Sequence, residues 1–328
     1  MKIKTIIIII IAALAAFAAV NNSVIFSRNS SSEKKSQLLA HRGLAQTFDI
    51  ETVQWDTNTA AIIHKPEHEY IENTLPSMKA AFDCGADIVE LDIRVTKDKQ
   101  LAVFHDSMLD YRTEKNGRVS DYTLAELQKM DVGYGYTHDN GKTYPLRGKG
   151  TGLMPSFNQV TEEFPEKKFL VHIRDSGPEI GELLLNKFNT MSSEQVELFS
   201  IYGNDEAVTL IRAEYPAMKA LTAKLLKKAV LEYELIGWTG YIPKSIHNME
   251  IHFPLAYAKF LWGWPEKFVL RMNKVNTRVV IVQKKGRWSG GFDTVEEIDE
   301  IPDNYYGYIW TERIDRIGWY FFLTAAKG

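Results

Sequence analysis

From residue 37 to residue 311 the chain repeats one theme, a short β-patterned run followed by an amphipathic helical stretch. The β-patterned runs are "QLLAHRG" (37–43), "DIVELDIRV" (87–95), "LAVFHD" (101–106), "KFLVHIRD" (168–175) and "VELFSIY" (196–202). "MKALTA" (218–223), "NMEIHF" (248–253), "TRVVIVQ" (277–283) and "YGYIWT" (306–311) continue the series. Between them lie helical patterns such as "LPSMKAAFDCG", "GPEIGELLLNKF", "DEAVTLIRAEYP" and "PEKFVLRMNKVN". Such alternation forms parallel sheet, because each crossover carries the chain back to the start of the next strand. About eight such units between residues 37 and 328 predict one closed (β/α)8 TIM barrel as a single domain. An open doubly wound sheet is disfavoured, since no glycine-rich phosphate loop follows the first strand. Residues 107–154, rich in Gly, Tyr and turn formers, read as an insertion over one barrel end.

Within this series "VELDIRV" (89–95) alternates without a break. Val89, Leu91, Ile93 and Val95 share one face, and Glu90, Asp92 and Arg94 share the other. A barrel strand is covered by helices outside and by packed side chains inside, so neither face is wet. The apolar set suits the helix side, which points Glu90 and Asp92 into the barrel. Two carboxylates about 6.6 Å apart along a strand are costly to bury unless a cation sits between them. A divalent metal is the economical answer.

Composition sets the remaining limits. A net charge of −3 gives no basic footprint for nucleic acid. The one cysteine, Cys84, excludes an internal disulfide and a cysteine metal cluster, and reads as a small buried residue. Nothing in the pattern implies a protein partner. At the start, Lys2 and Lys4 precede an unbroken apolar run over residues 6–20, and Ala16 and Ala18 form an A-x-A-like cleavage pattern. Residues 1–22 read as an export leader, either removed or kept as a membrane anchor, with delivery to a periplasmic or extracellular space. Residues 23–36, Ser- and Lys-rich, read as a flexible linker.

Four short motifs fall on these elements. His41-Arg42-Gly43 ends the first strand, Glu72-Asn73-Thr74 opens the first helix, Glu90-Leu91-Asp92 lies on the second strand, and His105-Asp106 closes the run behind it. In this order and spacing the set resembles the glycerophosphodiester phosphodiesterase family, whose hallmarks are HRG, ENT, E-x-D and a following HD. The likeness continues through "RTEKNGRVSDYTLAEL" (112–127), "MPSFNQV" (154–160) and "YIWTERID" (308–315). It implies a TIM barrel that hydrolyses phosphodiesters with one divalent metal and two histidines. By that match His41 attacks phosphorus or deprotonates the nucleophile, and His105 protonates the departing alkoxide. Arg42 contacts phosphate, Glu90 and Asp92 hold the metal, and Glu72 orients a histidine or a metal-bound water. Asn73 and Thr74 read as helix caps.

One departure stands out. Where the family's third strand reads E-x-K, this chain has His172 and Arg174. Arg for Lys keeps a positive charge with different geometry. His172 for Glu exchanges an oxygen donor for nitrogen, a set better suited to Mn²⁺, Zn²⁺ or Fe²⁺ than to Mg²⁺ or Ca²⁺. The substrate implied is a small-molecule or lipid phosphodiester. The alternatives are a lysophospholipase D or a phospholipase C-like enzyme at a membrane, and a non-catalytic binding protein with an altered metal site. His247 and His252 read as hydrogen-bonded scaffold, and His64 and His68 as surface residues of a long connection that could reach over the pocket. Trp238, Tyr241, Trp262 and Trp264 read as packing, although an exposed aromatic cluster near the barrel mouth would suit work at a lipid surface.

Overall fold

The computed structural model describes residues 3–23, 35–54, 57–285 and 288–325. The linker expectation for 23–36 falls mostly on residues 24–34, outside the described residues. Among the described residues there are ten strands: β1 Gln37–Ala40, β2 Ile88–Val95, β3 Leu101–Val103, β4 Lys168–Ile173, β5 Phe199–Gly203, β6 Ala220–Leu221, β7 Glu250–Pro254, β8 Arg278–Lys285, β9 Trp288–Gly290 and β10 Tyr308–Thr311. Eight of them run parallel in the order β6-β5-β4-β2-β1-β10-β8-β7. A single parallel bridge, Ala220 to Met249, joins the two outer members and nearly closes the barrel.

Two of the strands stand apart. The "LAVFHD" run does not supply a barrel strand; β3 folds back antiparallel on β2 and ends at Val103. Thr96–Gln100 form a tight reversal between them, with the Gln100 N–H on the Thr96 hydroxyl at 2.9 Å, so the chain cannot reach a parallel position. His105 and Asp106 therefore sit on a loop. β9, absent from the sequence reading, pairs antiparallel with β8.

Each strand buries two unlike faces. Val89, Leu91 and Ile93 join Phe169, Val171, Ile201 and the helices in the outer core. Leu39, Ile88, Leu170, Val280, Val282 and Trp310 fill the barrel interior. Full burial of one such side chain contributes roughly 1.5–3 kcal/mol, so the barrel is held mainly by these two layers. Residues of the 107–154 segment build a smaller apolar cluster, with Leu109, Leu127, Met130, Tyr136 and Leu146 packed against Ile71 and Phe104. It rises beside the mouth, where the strands' C-terminal ends lie.

Local signals position the first crossover. Thr74 caps the helix Leu75–Asp83 with a reciprocal Ser77 capping box, and Pro76 occupies its first turn. Gly43 has φ of +80°, and a Cβ there would lie 2.6–2.9 Å from Ser77, so only glycine fits where β1 meets this helix.

Candidate active site

Seven elements converge on the mouth. β1 ends at His41, whose Nδ1 lies 2.6 Å from Glu312 Oε2 just beyond β10. The His41 ring packs on Trp310 at 4.7 Å, and the Trp310 indole N–H donates to Glu312 at 3.0 Å. This fixes the imidazole with Nε2 turned inward, 3.8 Å from Glu90 Oε2 and 3.1 Å from Arg42 Nε. Burial pushes the His41 pKa down, but the Glu312 and Glu90 carboxylates together more than offset it and the net direction is upward. Glu312 in turn is held low: burial opposes its charge, and His41, the Trp310 hydrogen bond and Arg42 together overcome that.

Arg42 occupies the left-handed region at φ 56°, a conformation that costs a non-glycine residue about 1 kcal/mol or more. The backbone turn aims its N–H at Glu90 Oε2 (3.1 Å) and brings the guanidinium to Glu72 (3.0 Å) and Asp92 Oδ2 (3.3 Å). Asn73, also left-handed at φ 58°, does not cap the helix. Thr74 does, which frees the Asn73 amide to bridge β2: it donates to Asp92 Oδ2 at 2.9 Å and accepts the Asp92 N–H at 3.0 Å.

Glu90 and Asp92 are both fully buried and point inward, as the strand alternation predicts. Across the register Asp92 stands beside His172 on β4, which in turn stands beside Tyr202 on β5. The Tyr202 hydroxyl donates to Glu90 Oε1 at 2.6 Å, and its ring stacks on His172 at 3.9 Å. Gly203 allows this closeness, since a Cβ there would strike the Ile173 carbonyl at 2.4 Å. Burial first, then the Asp92 charge, drives the Glu90 pKa upward. For Asp92 burial is outweighed by Arg42 and the histidines, and its direction is downward.

His172 Nδ1 lies 2.9 Å from Asp92 Oδ1 but without hydrogen-bond alignment, so this buried oxygen has no donor. The ligand-capable atoms of Glu90, Asp92 and His172 fall within 4.8 Å of one another. An orphaned carboxylate oxygen, a like-charge pair and a neutral imidazole in one small volume fit a divalent cation. Burial drives the His172 pKa down to about 4, which keeps its ring nitrogen unprotonated and available. Arg174 reaches the same oxygen from 3.8 Å.

His105 approaches from the β3 loop. Its Nδ1 is 2.6 Å from Asp106 Oδ1, and its pKa is driven down to about 4, by burial first and then by Arg42. Behind it Arg112 lies 2.8 Å from Asp106 and 3.4 Å from Glu72, donates to Thr59 at 2.9 Å, and is 2% exposed. Glu72 therefore bridges Arg42 and Arg112; its carboxyl is held low because the two guanidiniums outweigh burial. It contacts neither histidine.

All eight residues singled out from sequence share this mouth: His41, Arg42, Glu72, Glu90, Asp92, His105, His172 and Arg174. Sequence reasoning missed Glu312, Tyr202 and Arg112. Glu312 lay within the quoted "YIWTERID", and an acid directly after a barrel strand was its only signal. His252 proves not to be hydrogen-bonded scaffold: its ring sits between Tyr202 (5.7 Å) and Trp310 (5.2 Å), and its Nε2 has no hydrogen-bond partner. Beside Glu312 opens a cavity of about 530 Å³. The long connection lines it through Phe48, His64 and His68, and Arg313 and Asp293 face them. It adjoins the histidine cluster rather than containing it.

A model of the glycerophosphoryl diester phosphodiesterase family matches residues 41–243. A glycerophosphodiester phosphodiesterase of Caldanaerobacter subterraneus subsp. tengcongensis is 32% identical over 152 residues, 44% of this chain and 59% of that relative. A mouse protein described as a lysophospholipase D is 30% identical over 201 residues, 58% of this chain and 60% of its own length. The matched stretches thus span less than two thirds of these relatives. Among solved structures, a glycerophosphoryl diester phosphodiesterase domain from Mycobacterium tuberculosis superposes with TM-score 0.60 at 12% identity, covering 87% of this chain and 99% of that one. A glycerophosphodiester phosphodiesterase from Agrobacterium tumefaciens gives 0.55 at 19%, covering 86% and 99%. At such identities the structures speak for the fold alone, and it is the same barrel. With the family model spanning most of the barrel, the chain belongs to the glycerophosphoryl diester phosphodiesterase family.

Proposed function

We propose that this chain is a metal-dependent phosphodiester hydrolase that cleaves glycerophosphodiesters to glycerol 3-phosphate and an alcohol. One observation carries the reading: two imidazoles, each held at Nδ1 by its own carboxylate, flank a buried acidic pair with an unpartnered oxygen. Residues 37–328 act as one catalytic unit, with 107–154 forming a wall of the mouth. Glu90, Asp92 and His172 would hold one divalent ion, which when bound supplies positive charge to a phosphoryl oxygen. The O,O,N donor set favours Mn²⁺, Zn²⁺ or Fe²⁺.

The chain's own groups do the rest. Arg42 and Arg174 bind the other phosphoryl oxygens, where a planar guanidinium steadies charge as it develops. His41, with Nδ1 fixed by Glu312, presents Nε2 to attack phosphorus or to take the nucleophile's proton; its raised pKa makes it the stronger base. His105 delivers a proton to the leaving alkoxide. An imidazolium of low pKa is a strong acid, and the bound anionic diester adds negative charge against the burial and the Arg42 repulsion that otherwise keep His105 neutral. The cavity beside Glu312 would take the alcohol portion. Residues 1–22 direct export to a periplasmic or extracellular space.

Leaving-group dependence tests the assignment. His105→Ala is expected to lose more rate on an alkyl diester such as glycerophosphocholine than on bis(p-nitrophenyl) phosphate, whose nitrophenolate leaves without a proton. Equal losses on both would reverse the two histidines. The mouse relative raises a second reading, lysophospholipid hydrolysis. A panel of glycerophosphodiesters and lysophospholipids, run across several divalent ions with a chelated control, separates the two.

A further inference from the structure

The helix Ile3–Asn22 leaves its apolar surface unpacked: none of its residues is buried, and Ile8 and Ile11 are 65% and 60% exposed. Twenty helical residues extend about 30 Å, the thickness of a bilayer's hydrocarbon core. The helix meets the barrel through its last turns. Phe17 stands edge-on to Trp238 at 6.3 Å, and the Asn21 and Asn22 amides both donate to the Trp238 carbonyl, at 3.1 and 3.0 Å.

The barrel answers with Arg271, on the helix Glu266–Asn273. This guanidinium is 5% exposed. It donates to Asn22 Oδ1 at 2.8 Å and to the Asn21 carbonyl at 3.0 Å, and also to the Tyr233 hydroxyl and the Gly237 carbonyl. A buried guanidinium requires acceptors on its N–H groups, and the leader supplies two of them. Cleavage after Ala18 would leave both asparagines on a short new terminus, without the helical turn in which the Asn22 amide donates to the Ala18 carbonyl at 2.8 Å. Both acceptors lie beyond Ala18, but the same cleavage would strip Phe17 from Trp238 and remove the helical turn that orders the two asparagines against Arg271.

Around this clamp the surface is apolar. Leu231 and Leu235, on the helix Ala223–Ile236, are 58% and 65% exposed, and Phe260 is 67% exposed. The Trp262 indole donates to the Glu234 carbonyl at 2.9 Å, which joins the Phe260–Trp262 segment to the leucines. On the same helical face Lys224, Lys227 and Lys228 are exposed. Lys227 lies one turn, about 6 Å, from Leu231, a depth that suits phosphate headgroups if the leucines reach the acyl boundary. The patch sits at the N-terminal ends of the strands, away from the mouth. Trp264 packs on Tyr305 at 5.2 Å, and the Tyr305 carbonyl accepts from Ser36 immediately ahead of β1. The aromatic cluster is thus not near the barrel mouth but at the opposite end.

We propose that residues 3–22 are a retained membrane anchor and that this end of the barrel rests on an anionic lipid bilayer, with Leu231, Leu235, Phe260 and Trp262 at the lipid surface. The mouth then opens away from the membrane and takes its phosphodiester from the water phase. The proposal rests on reading residues 1–22 as an export leader and is independent of the hydrolytic reading.

Two measurements on the full chain test it. Membranes from expressing bacteria are washed with alkaline carbonate, and the detergent-extracted protein is weighed by intact mass spectrometry. The expected species stays with the membrane and carries residues 1–22; a mass beginning after Ala18, or release by carbonate, overturns retention. Nitroxide labels are then placed at Leu235→Cys and, separately, at Met108→Cys beside the mouth, both in a Cys84→Ser background. The proteins are set in nanodiscs of mixed zwitterionic and anionic lipid. Collision with an aqueous nickel chelate should be several-fold weaker at position 235 than at 108; equal or reversed accessibility overturns the orientation. Adding glycerophosphocholine to the unlabelled chain in the same nanodiscs reads hydrolysis separately, so failure of one reading is not mistaken for failure of the other.

Discussion

Two acidic sites lie inside the same barrel, equally hidden from water, and they differ in what faces them. Glu250, at the start of β7, is fully buried, and Arg278 meets it at 2.9 Å. That guanidinium also donates to Ser200 at 2.9 Å and lies over the Tyr308 ring at 5.0 Å, so one negative charge has one fixed positive partner. At the mouth the guanidiniums of Arg42, Arg112 and Arg174 pair with Glu72, Asp92 and Asp106. Glu312 pairs instead with the His41 ring, and among the described residues Glu90 has only imidazoles within ion-pair distance. Each site leaves a buried carboxylate oxygen without a donor, Glu250 Oε1 and Asp92 Oδ1. Only the mouth sets a second carboxylate, Glu90, beside that oxygen with no guanidinium of its own, which is the imbalance a divalent cation would relieve. Burial does not tell a structural acid from a functional one. Charge balance does.

The largest effect tests that imbalance directly. Glu90→Ala is expected to lower turnover of bis(p-nitrophenyl) phosphate by orders of magnitude while the protein stays folded. In the native chain, a divalent ion at a hundred times its dissociation constant should add about 2.7 kcal/mol of stability, read as a rise in melting temperature. That rise should vanish in Glu90→Ala and after chelation. A native melting temperature indifferent to every divalent ion would mean the mouth is as self-sufficient as the Glu250 pair.

Next in size is Glu312→Gln. The amide keeps the shape of the side chain but removes the charge that fixes the His41 ring, so turnover should fall roughly 10- to 100-fold with little change in KM. A rate within experimental error of the native one would show that Trp310 packing alone orients His41.

Period-two patterning along β2 and the helix signals between strands made the barrel and the inward aim of Glu90 and Asp92 readable in advance, because both follow from local geometry. What escaped depends on partners distant in sequence. Glu312 is 271 residues from His41, and Tyr202 is 112 from Glu90. No spacing rule links them; only closure of the barrel brings β10 beside β1 and β5 near β2. Asn73 was misread for a related reason. Beside a capping threonine it looks like a second cap, and its bridge to Asp92 exists only once the helix entry packs on β2. The reversal of β3 turned on five residues, 96–100, too few for a crossover.

A smaller, qualitative change is expected from His172→Glu. Restoring an oxygen donor adds negative charge to the shell and should move the metal preference towards Mg²⁺ or Ca²⁺, measured as the ratio of rates across ions. An identical ion profile before and after would remove His172 from the ligand set and leave Asp92 Oδ1 to be satisfied by Arg174.

The least effect on turnover is expected where the charge is already balanced. Glu250→Ala leaves the Arg278 guanidinium, 10% exposed, without its carboxylate, and an uncompensated buried charge costs about 3–5 kcal/mol. Chemical denaturation should show that loss in full. Turnover per folded molecule should stay close to native, since Glu250 contacts none of His41, His105, Glu90 or Asp92. The His252 imidazole offers a direct route by which the change could reach the mouth, with Nε2 3.6 Å from Glu250 Oε1 and its ring against Trp310. The double variant Glu250→Ala/His252→Asn separates the two possibilities. If His252→Asn changes turnover by the same factor in the Glu250→Ala background as in the native chain, the lower pair is purely structural; unequal factors would make the two acidic sites one coupled network and dissolve the distinction between them.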